Sequence, residues 1–255
     1  MLADEIEKYL EKKVKQAYRK IKGKKVIVLA KGNNDLVTSD DLEIEKFLIE
    51  KFNKDYPLAH IVSEETNPQQ KVGKEPCFVI DPIDGTVNFC QGFDAWGIQV
   101  AYCEDGEPIS SVIYQPIRKK LYSSSKGNGV KLNGKKIEPI IFDHKKSIFL
   151  VESSQFDELE RNLKNEMKMD VPSFRRIGAS SISLPFLANG NVLGVLQVFP
   201  QKPWDLLPGL LMCREMGCIE KYAQDYMLIY RGQEVKDTFI PIIDKIVKWR
   251  KDLYK

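Results

Sequence analysis

Histidine is almost missing from this chain: its 255 residues include two, His60 and His144. Zinc centres are built from imidazoles or closely spaced thiolates, and the five cysteines (Cys77, Cys90, Cys103, Cys213, Cys218) contain no CxxC pair. A zinc site is therefore not expected. An odd number of cysteines also argues against a disulfide framework. Most lie in apolar runs and read as buried thiols in a reducing compartment. No apolar run is long enough to span a bilayer, and the first residues are amphipathic, unlike a signal peptide. The expectation is a cytoplasmic chain without a membrane partner. Charge of one sign is not in excess either: 39 Lys+Arg stand against 36 Asp+Glu, for a net +3. The lysines from Lys8 to Lys25 alternate with Glu5, Glu7 and Glu11 as on the wet face of a helix, and no basic stretch is interleaved with aromatics. A nucleic-acid polymer is thus not an expected partner. Serines are plentiful, but none sits in a nucleophile elbow and no histidine is placed as its base.

What the chain does have is an ordinary globular composition, 43% hydrophobic and 29% charged, and clear periodicity. Leu2, Ile6, Tyr9, Leu10, Val14, Ala17, Tyr18 and Ile21 recur at helical spacing, with Gly23 as a stop. A second helix is predicted from about Asp40 to Pro57. Strand-like segments follow at 59–62, 77–80, 96–103, 109–114 and 120–123, separated by turn signals such as Asp105-Gly106 and Asn133-Gly134. From Ile148 the texture alternates: strand 148–151, helix 156–167, a strand before Gly178, helix 181–189 and strand 192–199. A helix after Trp204, a short strand near Cys218 and a C-terminal helix from about Lys236 complete the pattern. The fold class read from this is α+β with an α/β second half. The expected division is 1–143, a sheet-rich part, and 144–255, an α/β part, with the loop 142–146 as boundary.

The strongest local signal is Asp81-Pro82-Ile83-Asp84-Gly85-Thr86, directly after an apolar strand. Proline lacks the N–H that a sheet ladder needs, so the chain is expected to turn there with Asp81 and Asp84 at the strand's carboxyl end. Gly85 permits close backbone approach, and Thr86 falls where the N–H groups of a starting helix are unpaired and attract an anion. Two carboxylates beside an anion cradle would repel phosphate unless cations intervene. Hard oxygen donors of this kind suit Mg²⁺. The competing reading is a plain Asp-Pro/Asp-Gly turn. Three further acidic segments are each unremarkable alone. Ser63-Glu64-Glu65-Thr66 reads as a surface loop, Trp204-Asp205 as a helix N-cap, and Asp35-Leu36-Val37-Thr38 with Asp40 and Asp41 as a capped helix start.

Together, in this order, they resemble the inositol monophosphatase family of lithium-sensitive, metal-dependent phosphatases, which includes fructose-1,6-bisphosphatases and nucleotide 3′-phosphatases. The likeness runs from the Asp35 segment to the helix after Asp205. It implies a layered α-β-α-β-α sandwich of the sugar phosphatase type, two or three Mg²⁺ ions, a homodimer, and a small phosphorylated metabolite as substrate. By that resemblance Glu65, Asp81, Asp84, Asp205 and the carbonyl of Ile83 hold the metals, supported by Glu64. Asp41 and Thr86 match the pair that activates the attacking water, and Gly85 and Thr86 the amide donors to phosphate. Arg176, Gly178, Ala179 and Ser180 fall in the segment lining the organic part of the substrate, and Lys202 is a further substrate-binding candidate. One departure stands out. Members acting on inositol phosphates usually carry a glutamate several residues before the Trp-Asp pair, where this chain has Gln197 or Val198. The implied activity is hydrolysis of an inositol-1-phosphate-like or sugar phosphate by metal-activated water. Alternatives are a fructose-1,6-bisphosphatase, a nucleotide 3′-phosphatase, with Arg175, Arg176 and Lys202 gripping a second phosphate, or a non-catalytic regulator that binds a phosphorylated ligand or metal.

Overall fold

The computed structural model describes residues 2–30, 36–140, 147–152, 156–166, 173–198, 201–224, 226–233 and 235–253. Asp35, His144 and the boundary loop 142–146 lie outside them.

Helix α1 (Leu2–Ile21) buries the stripe its spacing predicts, Ile6, Leu10, Val14, Ala17 and Ile21. A two-stranded ribbon, β1 (Val28–Ala30) and β2 (Leu36–Thr38), leads into α2 (Ser39–Asp55). Thr38 caps α2: its hydroxyl accepts from the amides of Asp40 and Asp41, while the Asp41 carboxylate accepts from the Thr38 amide. This reciprocal box satisfies N–H groups that every helix start leaves open.

Seven strands then form one sheet in chain order: β3 (His60–Ser63), β4 (Cys77–Asp84), β5 (Gly97–Glu104), β6 (Glu107–Gln115), β7 (Lys120–Ser125), β8 (Val130–Leu132) and β9 (Lys135–Ile137). Only β3 and β4 are parallel. Strand β4 corrects the expected stop at the Asp-Pro step. It runs on through Pro82 to Asp84, because the pairing slips: Asp81 faces Gln99 whereas Asp84 faces Gly97. The extra residue makes a β-bulge, and proline in a bulge forfeits no ladder bond. The short helix α3 (Thr86–Cys90) follows directly.

The second sheet has the order β11-β10-β12-β14-β13, from β10 (Ile148–Glu152), β11 (Ser173–Arg175), β12 (Gly194–Val198), β13 (Ile219–Tyr222) and β14 (Tyr226–Tyr230). Its first three strands are parallel and the last two pair antiparallel. Interspersed are α4 (Phe156–Glu166), α5 (Ser180–Ala188) and α6 (Pro203–Glu215), and a π-helical turn at Val235–Phe239 leads into α7 (Ile240–Leu253). Helix α6 corrects a second expectation. Its N-cap is Lys202, with Pro203 opening the helix, so Trp204 and Asp205 lie in the first turn. Proline fits there because its fixed φ suits a helix and its missing N–H would have no partner.

Burial arranges these elements in five layers. Helices α1 and α2 cover one face of the large sheet, burying Phe78, Ile80, Ile98 and Val112. On its other face α5 and α6 form the middle layer: Leu184, Leu187, Leu210 and Met212 pack with Ile113 and Tyr122 of the large sheet and Leu150, Val195 and Ile229 of the second. The outer face of the second sheet takes α4 and α7 through Leu163, Ile243 and Ile246. Three cysteines (Cys77, Cys103, Cys213) are buried as expected, while Cys90 and Cys218 are half-buried, and all five thiols are free.

Candidate metal centre and substrate cleft

Alternation along β4 decides where its first acid points. Phe78 and Ile80 face α1 and α2, so Cys77, Val79 and Asp81 face the other way. On that side Cys77 and Val79 pack with Trp204 of α6. Asp81 therefore arrives beside the residue after Trp204. The bulge then brings Asp84 to the same place. Carboxylate oxygens of Asp81, Asp84 and Asp205 all lie within 4.8 Å of one another.

Each acid is held by the scaffold. Asp81 Oδ2 accepts from Gln99 Nε2 (3.2 Å), whose amide also donates to Ser180 Oγ (2.9 Å). Asp84 Oδ2 accepts from the Ser181 amide (2.6 Å) and Oδ1 from Ser180 Oγ (3.3 Å). The carboxylate of Asp84 thus caps α5, whose own N-cap, Ala179, supplies no side-chain acceptor. Burial, with the charges of Glu64, Asp84 and Asp205, pushes the Asp81 carboxyl well above the usual range. Burial likewise pushes Asp84 up to about 6. For Asp205, burial and then the charge of Asp84 push it up to about 7.

Two buried carboxylates and a half-buried third, converging without a cation, are electrostatically unfavourable. Asp81 Oδ1 is also buried with no hydrogen-bond donor among the described residues. Oxygen-only donors, converging charge and an open buried lone pair fit a hard divalent cation such as Mg²⁺.

Among the described residues, Glu65, the fourth predicted metal carboxylate, is not part of this group of three. The turn after β3 runs alongside β4, the Glu64 amide bonding to Ile80 O (3.3 Å). The charge of Glu64 is felt at Asp81 and that of Glu65 at Asp41. Asp41 Oδ2 accepts from the Thr38 amide and hydroxyl, while its Oδ1 is buried without a partner among the described residues. Burial pushes Asp41 up to about 7. Thr86 Oγ1 donates to Ile83 O (2.9 Å), and no hydrogen bond joins Thr86 to Asp41 among the described residues. Gly85, with φ +87°, starts α3; a Cβ there would lie 2.9 Å from Ala95 O.

Asp84 and Asp205 form one wall of a cleft of about 310 Å³ that is also lined by Glu152, Arg176, Gly178, Ala179, Ser180, Gln197 and Gln201. Lys202 does not line it. As the α6 N-cap it sits exposed, with its ammonium 6.0 Å from the Trp204 ring. Arg175 donates to Phe174 O rather than reaching the cleft.

Four residues escape sequence reasoning or gain meaning only here. Gln99 links Asp81 to α5, and Glu45 holds the Glu64–Glu65 turn. Glu152 accepts from the amides of Ile177 (3.2 Å) and Gly178 (2.9 Å) and from Ser183 Oγ (2.6 Å), fixing the cleft-lining segment. Gln197 is 1% exposed, lines the cleft, and has no donor to its Oε1 among the described residues. For Glu45 a signal existed: an acid stands between Ile44 and Leu48 on the buried face of α2.

Five alternating layers, with an acidic group at the carboxyl end of β4 that could hold a metal, define a layered α-β-α-β-α sandwich of the sugar phosphatase type. The chain belongs to the inositol monophosphatase family, which it matches over residues 2–233. It is 31% identical over 201 residues to a Vibrio cholerae protein named Nus factor SuhB, covering 76% of this chain and 74% of that protein. It is 32% identical to an Aquifex aeolicus protein named fructose-1,6-bisphosphatase/inositol-1-monophosphatase, covering 77% and 75%. Its fold matches that of a Thermotoga maritima IMPase with a TM-score of 0.80 at 22% identity, over 94% of this chain and 97% of that one.

Proposed function

We propose that the protein is a Mg²⁺-dependent phosphatase acting on a small, hydroxyl-rich phosphomonoester, a cyclitol or sugar phosphate. The observation that carries this reading is the convergence of Asp81, Asp84 and Asp205 on one point, within 4.8 Å, at the mouth of a polar cleft.

Asp81, Asp84, Asp205, the neighbouring Glu65 and the Ile83 carbonyl would hold two or three Mg²⁺ ions, with Glu64 in support. Bound there, Mg²⁺ neutralises the carboxylates, polarises the phosphoryl group and lowers the pKa of water. Asp41 takes the proton from the attacking water at Oδ1, the oxygen that Thr38 leaves open; a carboxyl raised to about 7 is matched to that task near neutrality. Thr86 has its hydroxyl proton committed to Ile83 O, so its oxygen is left to orient the water as an acceptor. The amides of Gly85 and Thr86 face the phosphate. Gly178, Ala179, Ser180 and Gln197 bound the organic part. Arg176 lines the cleft and would meet a second anionic group, which makes a bisphosphate the next substrate class. Lys202, exposed at the head of α6, acts only from the rim.

The test is orthophosphate release from inositol 1-phosphate, fructose 1,6-bisphosphate and 3′-phosphoadenosine 5′-phosphate, with Mg²⁺ or EDTA. Asp84→Asn isolates the charge: its amide oxygen can still accept from Ser181 and its nitrogen donate to Ser180, so the fold is retained. Release should be abolished by EDTA and fall at least about 100-fold in Asp84→Asn, as when one preorganised electrostatic contact is removed. Turnover indifferent to either change sinks the mechanism. A second reading, a non-catalytic regulator, is favoured by the name Nus factor carried by the Vibrio relative. It predicts that Mg²⁺ binds while none of the three esters is hydrolysed.

A further inference from the structure

We propose that Glu45 is the positioning residue of the metal centre, fixing the 63–66 turn that carries Glu64 and Glu65 against the Asp81–Asp84–Asp205 group. This rests on the reading of that group as a Mg²⁺ site.

Glu45 lies on α2 one helical turn after Asp41 and is 0% exposed. No cation among the described residues pairs with it. An unpaired buried carboxylate is costly unless hydrogen bonds replace its hydration. Here four donors do so, all from one turn. Oε1 accepts from Ser63 Oγ (3.0 Å), the Thr66 amide (2.8 Å) and Thr66 Oγ1 (2.5 Å). Oε2 accepts from the Glu65 amide (3.0 Å).

This arrangement needs two acceptor oxygens. A glutamine would set its NH₂ against the Glu65 N–H, donor to donor, and an apolar side chain would leave both amides open. The acid therefore specifies the turn's backbone, and most directly the backbone of Glu65. On its far side the turn is tied by Glu64 N to Ile80 O, the residue before Asp81. One helix thus presents Asp41 at its start and holds Glu64 and Glu65 through Glu45, which sets the spacing among the acids.

Magnesium binding to the full-length protein, measured by isothermal titration calorimetry, tests this. The variants are Glu45→Gln and Glu45→Asp, with melting curves in EDTA to establish folding. The expected result is cooperative melting of both variants and Mg²⁺ affinity about 10–100-fold below wild type, the loss typical when a partner that orients a metal ligand is removed. Glu45→Asp keeps the charge but falls short of the turn. If it binds like wild type while Glu45→Gln does not, the role is charge alone and the proposal is overturned. Wild-type affinity in both variants also overturns it and leaves the metal site standing, whereas absence of Mg²⁺ binding by the wild type removes site and proposal together. Should neither variant melt cooperatively, Thr66→Val decides: it deletes one hydroxyl bond to Glu45 without touching α2. About tenfold weaker binding supports the proposal and unchanged binding overturns it.

Discussion

Gln99 carries no charge and belongs to no motif, yet both protons of its amide are committed, one to Asp81 and one to Ser180. The bond to Asp81 lowers a carboxyl that burial and neighbouring charges raise. In Gln99→Met that donor is gone, so Asp81 holds its proton more tightly and Mg²⁺ must compete with it. Calorimetry should show affinity about tenfold weaker at pH 7, with a smaller deficit at higher pH; equal affinity at pH 7 would mean that Gln99 only packs. Residues of this kind are not legible in a sequence. Asp81, Asp84 and Asp205 announce themselves because each follows or opens an apolar segment, and their order resembles a family pattern. Gln99 acts on residue 180, and Glu152 on residues 177 to 183. Their meaning exists only once distant segments meet.

Most strands of the large sheet were legible as short apolar segments bounded by turn residues, since those signals are local. The continuation of β4 through Pro82 was not, because the bulge depends on the register of β5. The β8–β9 hairpin showed only its Asn133-Gly134 turn, and the short apolar run of β14 (Tyr226–Tyr230) was not read as a strand. The crossing of α5 and α6 is likewise hidden in sequence: a Cβ on Gly209 would stand 2.4 Å from Leu184 Cβ. Gly209→Ala gains helix propensity but must push the helices apart. The net expectation is destabilisation of about 1–3 kcal/mol in urea unfolding, the usual cost of overpacking. Because α6 carries Asp205, Mg²⁺ affinity should fall as well. A variant as stable as wild type would mean that Leu184 moves aside freely.

At the scale of the whole protein the acidic group links stability to pH. Asp84 at about 6, and Asp205 and Asp41 at about 7, lie above their ordinary 3.8. A carboxyl raised by folding contributes stability that is complete below its unfolded value and is lost as pH rises through its folded value. In EDTA the melting temperature from these groups should therefore fall between about pH 5 and pH 8. Mg²⁺ binds the ionised carboxylates, so its addition should raise the melting temperature strongly at pH 8 and little at pH 5. Scanning fluorimetry at both pH values, with and without Mg²⁺, checks this; identical profiles would exclude a metal at this group. The cap that Asp84 places on α5 has another consequence. The first turn of that helix is completed by an acceptor nearly a hundred positions earlier in the chain, and the layer containing it shares its apolar contacts between both sheets. Neither half is self-sufficient: a fragment starting after the large sheet would carry a frayed helix and a bare greasy face, so the two halves are made to be inherited and folded as one.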